Sequence, residues 1–225
     1  LKPIQKGIGV DQQLRLTQPE DVRRAEQLLQ QRPYVLEAWL DQPLEYSVLV
    51  AKAGSHVQVM PVVENRFAHH QLKASVVPAS GGMAVQAEIQ RIARVLATRI
   101  DYTGVFGIEL FMTKSQTLYV KRLFPGPQIN GHVLTATTGI SPYQMHLRAL
   151  FGWPLPEVRL VEDGALLPLR QGDRAAAMTQ IQIKPDWRFS FYPEADDEAD
   201  IGEIAVVGDR DVITQTINAT DYFQL

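Results

Sequence analysis

The sequence contains no cysteine, which excludes a disulfide framework, a thiolate metal site and a thiol nucleophile. Any site chemistry must use oxygen and nitrogen, and a reducing, cytoplasmic setting is expected. Excess charge is also scarce: 22 Lys and Arg stand against 25 Asp and Glu, a net −3. That balance gives no whole-chain attraction to nucleic acid or anionic lipid. No uninterrupted apolar stretch approaches the roughly 18 residues of a membrane span, and the start is not a charged n-region followed by an apolar h-region. The first residue is Leu1 rather than Met, and Leu1-Lys-Pro3 reads as the start of a fragment or a processed product. The sequence has no G-x-x-x-x-G-K-[ST], no G-x-G-x-x-G, no nucleophile elbow and no H-E-x-x-H, which removes the enzyme classes those motifs mark.

What is present is a chain of 225 residues, 45% hydrophobic, long enough to bury a substantial core. Thr17-Gln-Pro-Glu20 has the pattern of a capping box, and Val22, Ala25, Leu28 and Leu29 follow at helical spacing to a stop near Arg32-Pro33. Leu44 to Lys52 alternates as a strand, with Leu44, Tyr46, Val48 and Val50 on one face and Glu45, Ser47 and Leu49 on the other. Further strands are predicted at His56 to Val63 and Leu72 to Val77. Pro78 to Gly82 then breaks the pattern before a helix carrying Ile89, Ile92, Ala93 and Leu96. Val105 to Met112 and Leu118 to Leu123 flank a short polar turn as a hairpin. A helix is predicted at Pro142 to Leu150, a boundary at Trp153-Pro-Leu-Pro156, then short strands and a last helix near Asp211 to Asn218.

Three local features invite a functional reading and have a plain one beside it. Lys6-Gly-Ile-Gly9 can cradle phosphate through backbone N–H groups, and it can equally be an ordinary turn. His69-His70 is not spaced for one helix face and reads as a surface loop before it reads as a metal site. Glu194, Asp196, Asp197, Glu198, Asp200 and Glu203 form an acidic run that by itself describes a solvated loop.

Several blocks in one order carry more information than any of these. Glu45-Tyr-Ser-Val-Leu-Val-Ala51, Pro61-Val-Val-Glu-Asn65, Tyr102-Thr-Gly-Val105 with Ile108-Glu-Leu-Phe111, and His146-Leu-Arg-Ala149 followed by Pro154-Leu155 resemble the 5-(carboxyamino)imidazole ribonucleotide synthases, the ATPase subunit of phosphoribosylaminoimidazole carboxylase. The resemblance implies an α+β, ATP-grasp fold over residues 1–152 and a small β-rich C-terminal region over 153–225, with an upstream substrate-binding domain missing. It also implies an ATP-dependent ligase of purine biosynthesis, in which ATP phosphorylates bicarbonate and the product carboxylates the amine of aminoimidazole ribonucleotide. ATP and Mg²⁺ are the cofactors it implies. The nucleotide substrate, a homodimer and a carboxylase mutase subunit are the partners, with no nucleic acid and no membrane.

Carried over position by position, the resemblance assigns Lys2 to the ATP phosphates, Glu37 and Leu40 to the adenine hinge, Glu45 to the ribose hydroxyls, Glu109 to the first metal ion and His132 to the substrate. A carboxylate at a strand end is unremarkable, and Lys2 can be a plain surface residue. Glu109 differs because it interrupts a strongly apolar strand, where a carboxylate needs a cation. Elsewhere the pattern is broken. The glycine-rich G-Y-D-G-K-G-Q loop reads Gly7-Ile-Gly-Val-Asp-Gln-Gln13, which places Ile8, Gly9 and Asp11 where the tyrosine, aspartate and lysine belong. Lys121 to His132 puts Arg122 at the second metal ligand and Gly126 at a phosphate-facing arginine, keeping Pro125, Gly131 and His132. The basic R-K-x-G-H falls on Ala199-Asp-Ile-Gly-Glu203.

If the hairpin turns symmetrically about Lys114-Ser115, Glu109 lies opposite Val120 and Arg122 is its diagonal neighbour, close enough to form an ion pair that replaces the metal site. Three functional readings follow: a working ligase with displaced ligands, for which Glu64 and Asp101 are candidate metal carboxylates; a catalytically degenerate relative serving as a dimerisation or partner-binding module; and a ligase retuned to a less anionic substrate.

Overall fold

A computed structural model describes residues 1–4, 13–69, 71–193 and 200–225. The Lys6 to Asp11 stretch, His70 and the acidic residues Glu194 to Glu198 lie outside the described residues. The chain divides into two compact units, Leu1–Gln42 and Pro43–Leu225.

In the first unit, strand β1 (Lys2–Pro3) pairs antiparallel with β2 (Tyr34–Val35), and helix α1 (Asp21–Gln31) falls between them in the chain. The expected capping box is replaced by a neighbouring device. Oδ2 of Asp21, not Glu20, accepts hydrogen bonds from the backbone N–H of Thr17 at 2.8 Å and of Gln18 at 3.1 Å, and from the Thr17 hydroxyl at 3.1 Å. These bonds, the Thr17 N–H first, hold the Asp21 carboxyl below its ordinary value. The helix stops where predicted, because Pro33 disfavours helical geometry at Arg32, whose backbone is extended.

In the second unit the described residues form a nine-stranded antiparallel sheet in the order β10-β11-β9-β6-β5-β3-β7-β8, with β4 pairing the end of β3. The strands are β3 (Leu44–Ala53), β4 (His56–Val59), β5 (Val63–Ala68), β6 (Gln71–Val77), β7 (Gly104–Met112), β8 (Leu118–Pro125), β9 (Asp163–Leu169), β10 (Arg188–Phe191) and β11 (Gly202–Gly208). Helices α2 (Gly82–Ala97), α3 (Val133–Thr137), α4 (Pro142–Leu150), α5 (Arg174–Ile183) and α6 (Arg210–Asn218) flank it.

The alternation read from the sequence sets the two faces. Tyr46, Val48 and Val50 of β3 join Ile108 and Leu110 of β7 against Ile89, Ala93 and Ala97 of α2. On the same face, Ala74, Val76, Leu167 and Ile204 pack with Ala177 of α5 and with Ile213 and Ile217 of α6. On the other face, Leu49, Val63, Val105 and Leu166 pack with Val133 and Leu134 of α3 and Met145 of α4. The Glu45 and Glu109 end of that face carries Ser47 and Asn65 beside Phe111. Among the described residues no helix is long and apolar enough to cross a membrane.

Three expectations change. The returning strand His56 to Val63 is two strands, because Pro61 has no N–H with which to continue a ladder. Helices α3 and α5 were not foreseen: α3 has five residues, and α5 buries only Ala177 and Gln180, too weak a periodic signal to read. The boundary predicted at Trp153 is crossed by the sheet, since β9 pairs with β6 and the unit division falls between Gln42 and Pro43. Among the described residues the region after Trp153 holds two α-helices as well as three strands. A local Pro-rich break cannot show that the next strand pairs with one far earlier in the chain.

Candidate functional site

The site is built around Glu109, which the pleat of β7 turns to the face carrying Glu45, Ser47 and Asn65 and which is only 4% exposed. A buried carboxylate is tolerated only with compensating charge and hydrogen bonds. The register that supplies them differs from the symmetric one. The turn spans Thr113 to Thr117, so Met112 lies opposite Leu118 and Leu110 opposite Val120. A β-bulge at the Glu109/Leu110 step then leaves Lys121 without an opposite residue and makes Arg122, not Val120, the direct partner of Glu109.

The result is a two-pronged ion pair. Arg122 Nε donates to Glu109 Oε2 at 2.7 Å and Nη2 donates to Oε1 at 2.6 Å. The bonds to Glu109 hold the Arg122 guanidinium above its ordinary pKa despite partial burial. Because the bulge frees Lys121 from strict alternation, its ammonium reaches the same cluster, 2.8 Å from Glu45 Oε2 and 3.5 Å from Glu109 Oε2, over the rings of Phe111 and Phe67. Asn130 Nδ2 adds a bond to Glu109 Oε1 at 3.3 Å. Two carboxylates and two cations leave the cluster with no net charge.

These residues do not fit a divalent metal. Mg²⁺ requires oxygen ligands at about 2.0–2.1 Å in near-octahedral geometry, whereas both oxygens of Glu109 face N–H donors of a fixed cation. Among the described residues no three of His, Asp and Glu gather into a cluster that could hold an ion. The alternative carboxylates do not complete one. Glu64 belongs to the opposite face of the sheet, where Oε2 accepts from the Ser80 N–H and Oε1 from Arg66 Nε, both at 2.9 Å. Burial pushes the Glu64 carboxyl up, but the Ser80 and Arg66 hydrogen bonds outweigh it and the net direction is down. Asp101 is exposed and lies outside any strand.

A second polar cluster occupies the same sheet face. His132 Nδ1 meets Glu203 Oε2 at 2.7 Å, His132 Nε2 meets the Tyr143 hydroxyl, and Tyr192 donates to Glu203 Oε2 at 2.8 Å. Burial raises the Glu203 pKa, and the bonds from His132 and Tyr192 more than reverse it. An ionised carboxylate only accepts, so Nδ1 carries the proton and, in the neutral ring, Nε2 accepts from Tyr143. Both ring nitrogens of the expected substrate residue are thus engaged within the protein. The 3-10 turn Ile129–Gly131 links the clusters, with Asn130 on Glu109 and His132 on Glu203.

The first unit holds the remaining expected residues. Lys2 Nζ is 3.5 Å from Glu37 Oε1, both side chains about half exposed. Leu40 is half-buried in an irregular stretch beside Trp39, whose ring lies under Arg15. Sequence reasoning missed Lys121, Tyr143 and Tyr192. Strict alternation places Lys121 on the face opposite Arg122, and the two tyrosines have no local signal. His146, quoted within a matching block, serves the fold locally, because its Nδ1 accepts from the Val105 N–H at 2.9 Å and so fixes the start of β7.

A model of the ATP-grasp domain matches residues 1–143. The N5-carboxyaminoimidazole ribonucleotide synthase of Bacillus subtilis (strain 168) is 28% identical over 170 residues, covering 75% of this chain and 45% of that protein. Its counterpart from Staphylococcus epidermidis (strain RP62A) is 26% identical over 218 residues, 95% of this chain and 56% of that one. A solved N5-carboxyaminoimidazole ribonucleotide synthetase in complex with ADP superposes with a TM-score of 0.84 at 24% identity, covering 92% of this chain and 56% of that chain. The chain spans about half the length of the curated relatives it matches. With the expected α+β architecture in place and the domain model covering more than half of its residues, the chain belongs to the ATP-grasp family.

Proposed function

We propose that this chain is a nucleotide-binding ATP-grasp domain, related to the ligases that carboxylate aminoimidazole ribonucleotide, and that it acts by binding rather than by carboxylation. The observation that supports this is the guanidinium of Arg122 on both oxygens of Glu109. Phosphoryl transfer depends on cations that neutralise charge as it develops on the phosphates, and in this family metal ions supply them. Here the donor set for a metal is closed, Gly126 offers no cation, and His132 is bound to Glu203. Adenine is assigned to Glu37 and Leu40, ribose to Glu45 and phosphate to Lys2. A homodimer and a carboxylase mutase subunit are further proposals that rest on the family alone.

A working ligase is the second reading, favoured by Glu45 and Glu109 lying on adjacent strands with Lys121 between them. The deciding experiment incubates the full chain with ATP, Mg²⁺, bicarbonate and aminoimidazole ribonucleotide and follows ADP release. The expected result is no release above the rate without substrate, together with a rise in melting temperature on adding nucleotide, since a ligand at one hundred times its Kd stabilises by about 2.7 kcal/mol. Substrate-dependent turnover overturns the binding-only reading. No thermal response to millimolar ATP or ADP overturns nucleotide binding.

A further inference from the structure

We infer that the site takes its nucleotide free of divalent metal, with Lys121 and Arg122 providing the positive charge at the phosphates. This rests on the nucleotide-binding reading above. Three observations carry it. First, the cluster is layered. The Glu109 side chain is 6% exposed beneath Arg122, which is 54% exposed, and beside them Lys121 and Glu45 are both partly exposed, at 29% and 23%. An approaching anion therefore meets Arg122 before Glu109, the arrangement a metal ion would otherwise create. Second, both cations are fixed. Arg122 is held by two short charge-assisted bonds, and Lys121 by two carboxylates and two aromatic rings, so their placement needs no ion to organise it. Third, with the carboxylates already compensated, adding Mg²⁺ would require displacing the guanidinium from Glu109, leaving an arginine without its partner. The ligand class is a nucleoside di- or triphosphate anion.

The test is isothermal titration of the full chain with ADP and with ATP, in Mg²⁺ and in EDTA, beside a Mn²⁺ titration followed by electron paramagnetic resonance. The dissociation constants are expected to agree within about threefold between the two conditions, and the chain is expected to leave Mn²⁺ free. Affinity more than about tenfold weaker in EDTA overturns the inference while leaving nucleotide binding intact. Stoichiometric Mn²⁺ binding that Glu109→Gln abolishes also overturns it. Binding in neither condition is the failure of the nucleotide reading itself, and the inference falls with it. Arg122→Glu, checked for folding by circular dichroism, is expected to bind Mn²⁺ and to make nucleotide affinity Mg²⁺-dependent. The measurements on the unaltered chain decide the matter if that variant does not fold.

Discussion

Two carboxylates on one face of the sheet, the buried Glu109 and the half-buried Glu203, are neutralised by different chemistry. Glu109 lies under a guanidinium, which its hydrogen bonds to Glu109 hold above its ordinary pKa, and beside an ammonium. Glu203 is held by a histidine and a tyrosine. The first arrangement supplies permanent charge and excludes a competing cation. The second supplies hydrogen bonds whose worth depends on the carboxylate staying ionised. At the position assigned to metal the chain carries fixed charge, and at the position assigned to substrate it carries a closed hydrogen-bond network.

Removing either half separates the two. The largest effect is expected from Arg122→Ala, which leaves Glu109 with Lys121 at 3.5 Å and Asn130 at 3.3 Å. Urea unfolding should show a loss of about 2–3 kcal/mol, below the full value for a buried pair because the guanidinium is half exposed. A loss near zero would mean that the ion pair is incidental. Glu109→Gln should be milder, since Arg122 can turn to water, and the double variant should reveal coupling. Gly131→Ala tests the link between the clusters: a Cβ there would fall 2.4 Å from Leu49 Cδ1. Either the 3-10 turn or the packed Leu49 side chain must then shift, and a loss of about 1–3 kcal/mol is expected. Equal weakening of both networks, seen by hydrogen exchange at Asn130 and His132, would confirm that the turn couples them.

Glu203→Gln should cost about 1–2 kcal/mol near neutral pH. Because the folded Glu203 pKa is depressed below its ordinary 4.5, its contribution is present above 4.5 and is lost as pH falls through the lower folded value. Unfolding measured at neutral pH and well below 4.5 should therefore show the difference between Glu203 and Gln shrinking in acid. A difference that does not change with pH would show that the bond does not depend on ionisation. Tyr192→Phe is expected to have the smallest effect, about 1 kcal/mol, from a single lost hydrogen bond to Glu203.

Much of the fold was legible because its signals are local. The β3 alternation of Leu44, Tyr46, Val48 and Val50 against Glu45, Ser47 and Leu49 places each residue on its observed face, and α4 spans Pro142–Leu150 as predicted, opened by a capping box of Ser141 and Gln144. The pairing of Glu109 with Arg122 was also legible, since an apolar strand carrying one carboxylate demands a cation and the neighbouring strand holds one. Its geometry was not. A bulge depends on how two strands settle against the rest of the sheet, and no residue between Thr113 and Arg122 announces it. The single strand expected over His56 to Val63 failed for a comparable reason: the apolar pattern continues, while Pro61 breaks the hydrogen-bond ladder.

The sequence by itself determined the family, the alternation of β3 and β7 and the presence of an unlike charge at the expected metal position. All of these follow from residue identity and spacing. Only the tertiary structure decided that Lys121 joins Arg122 on one face, that β9 to β11 continue the sheet past Trp153, and that His132 is bound to Glu203 from the far end of the chain. Each of these depends on strand pairing between distant segments, and a register set by a bulge or a long-range ladder leaves no periodic trace in the residues that form it.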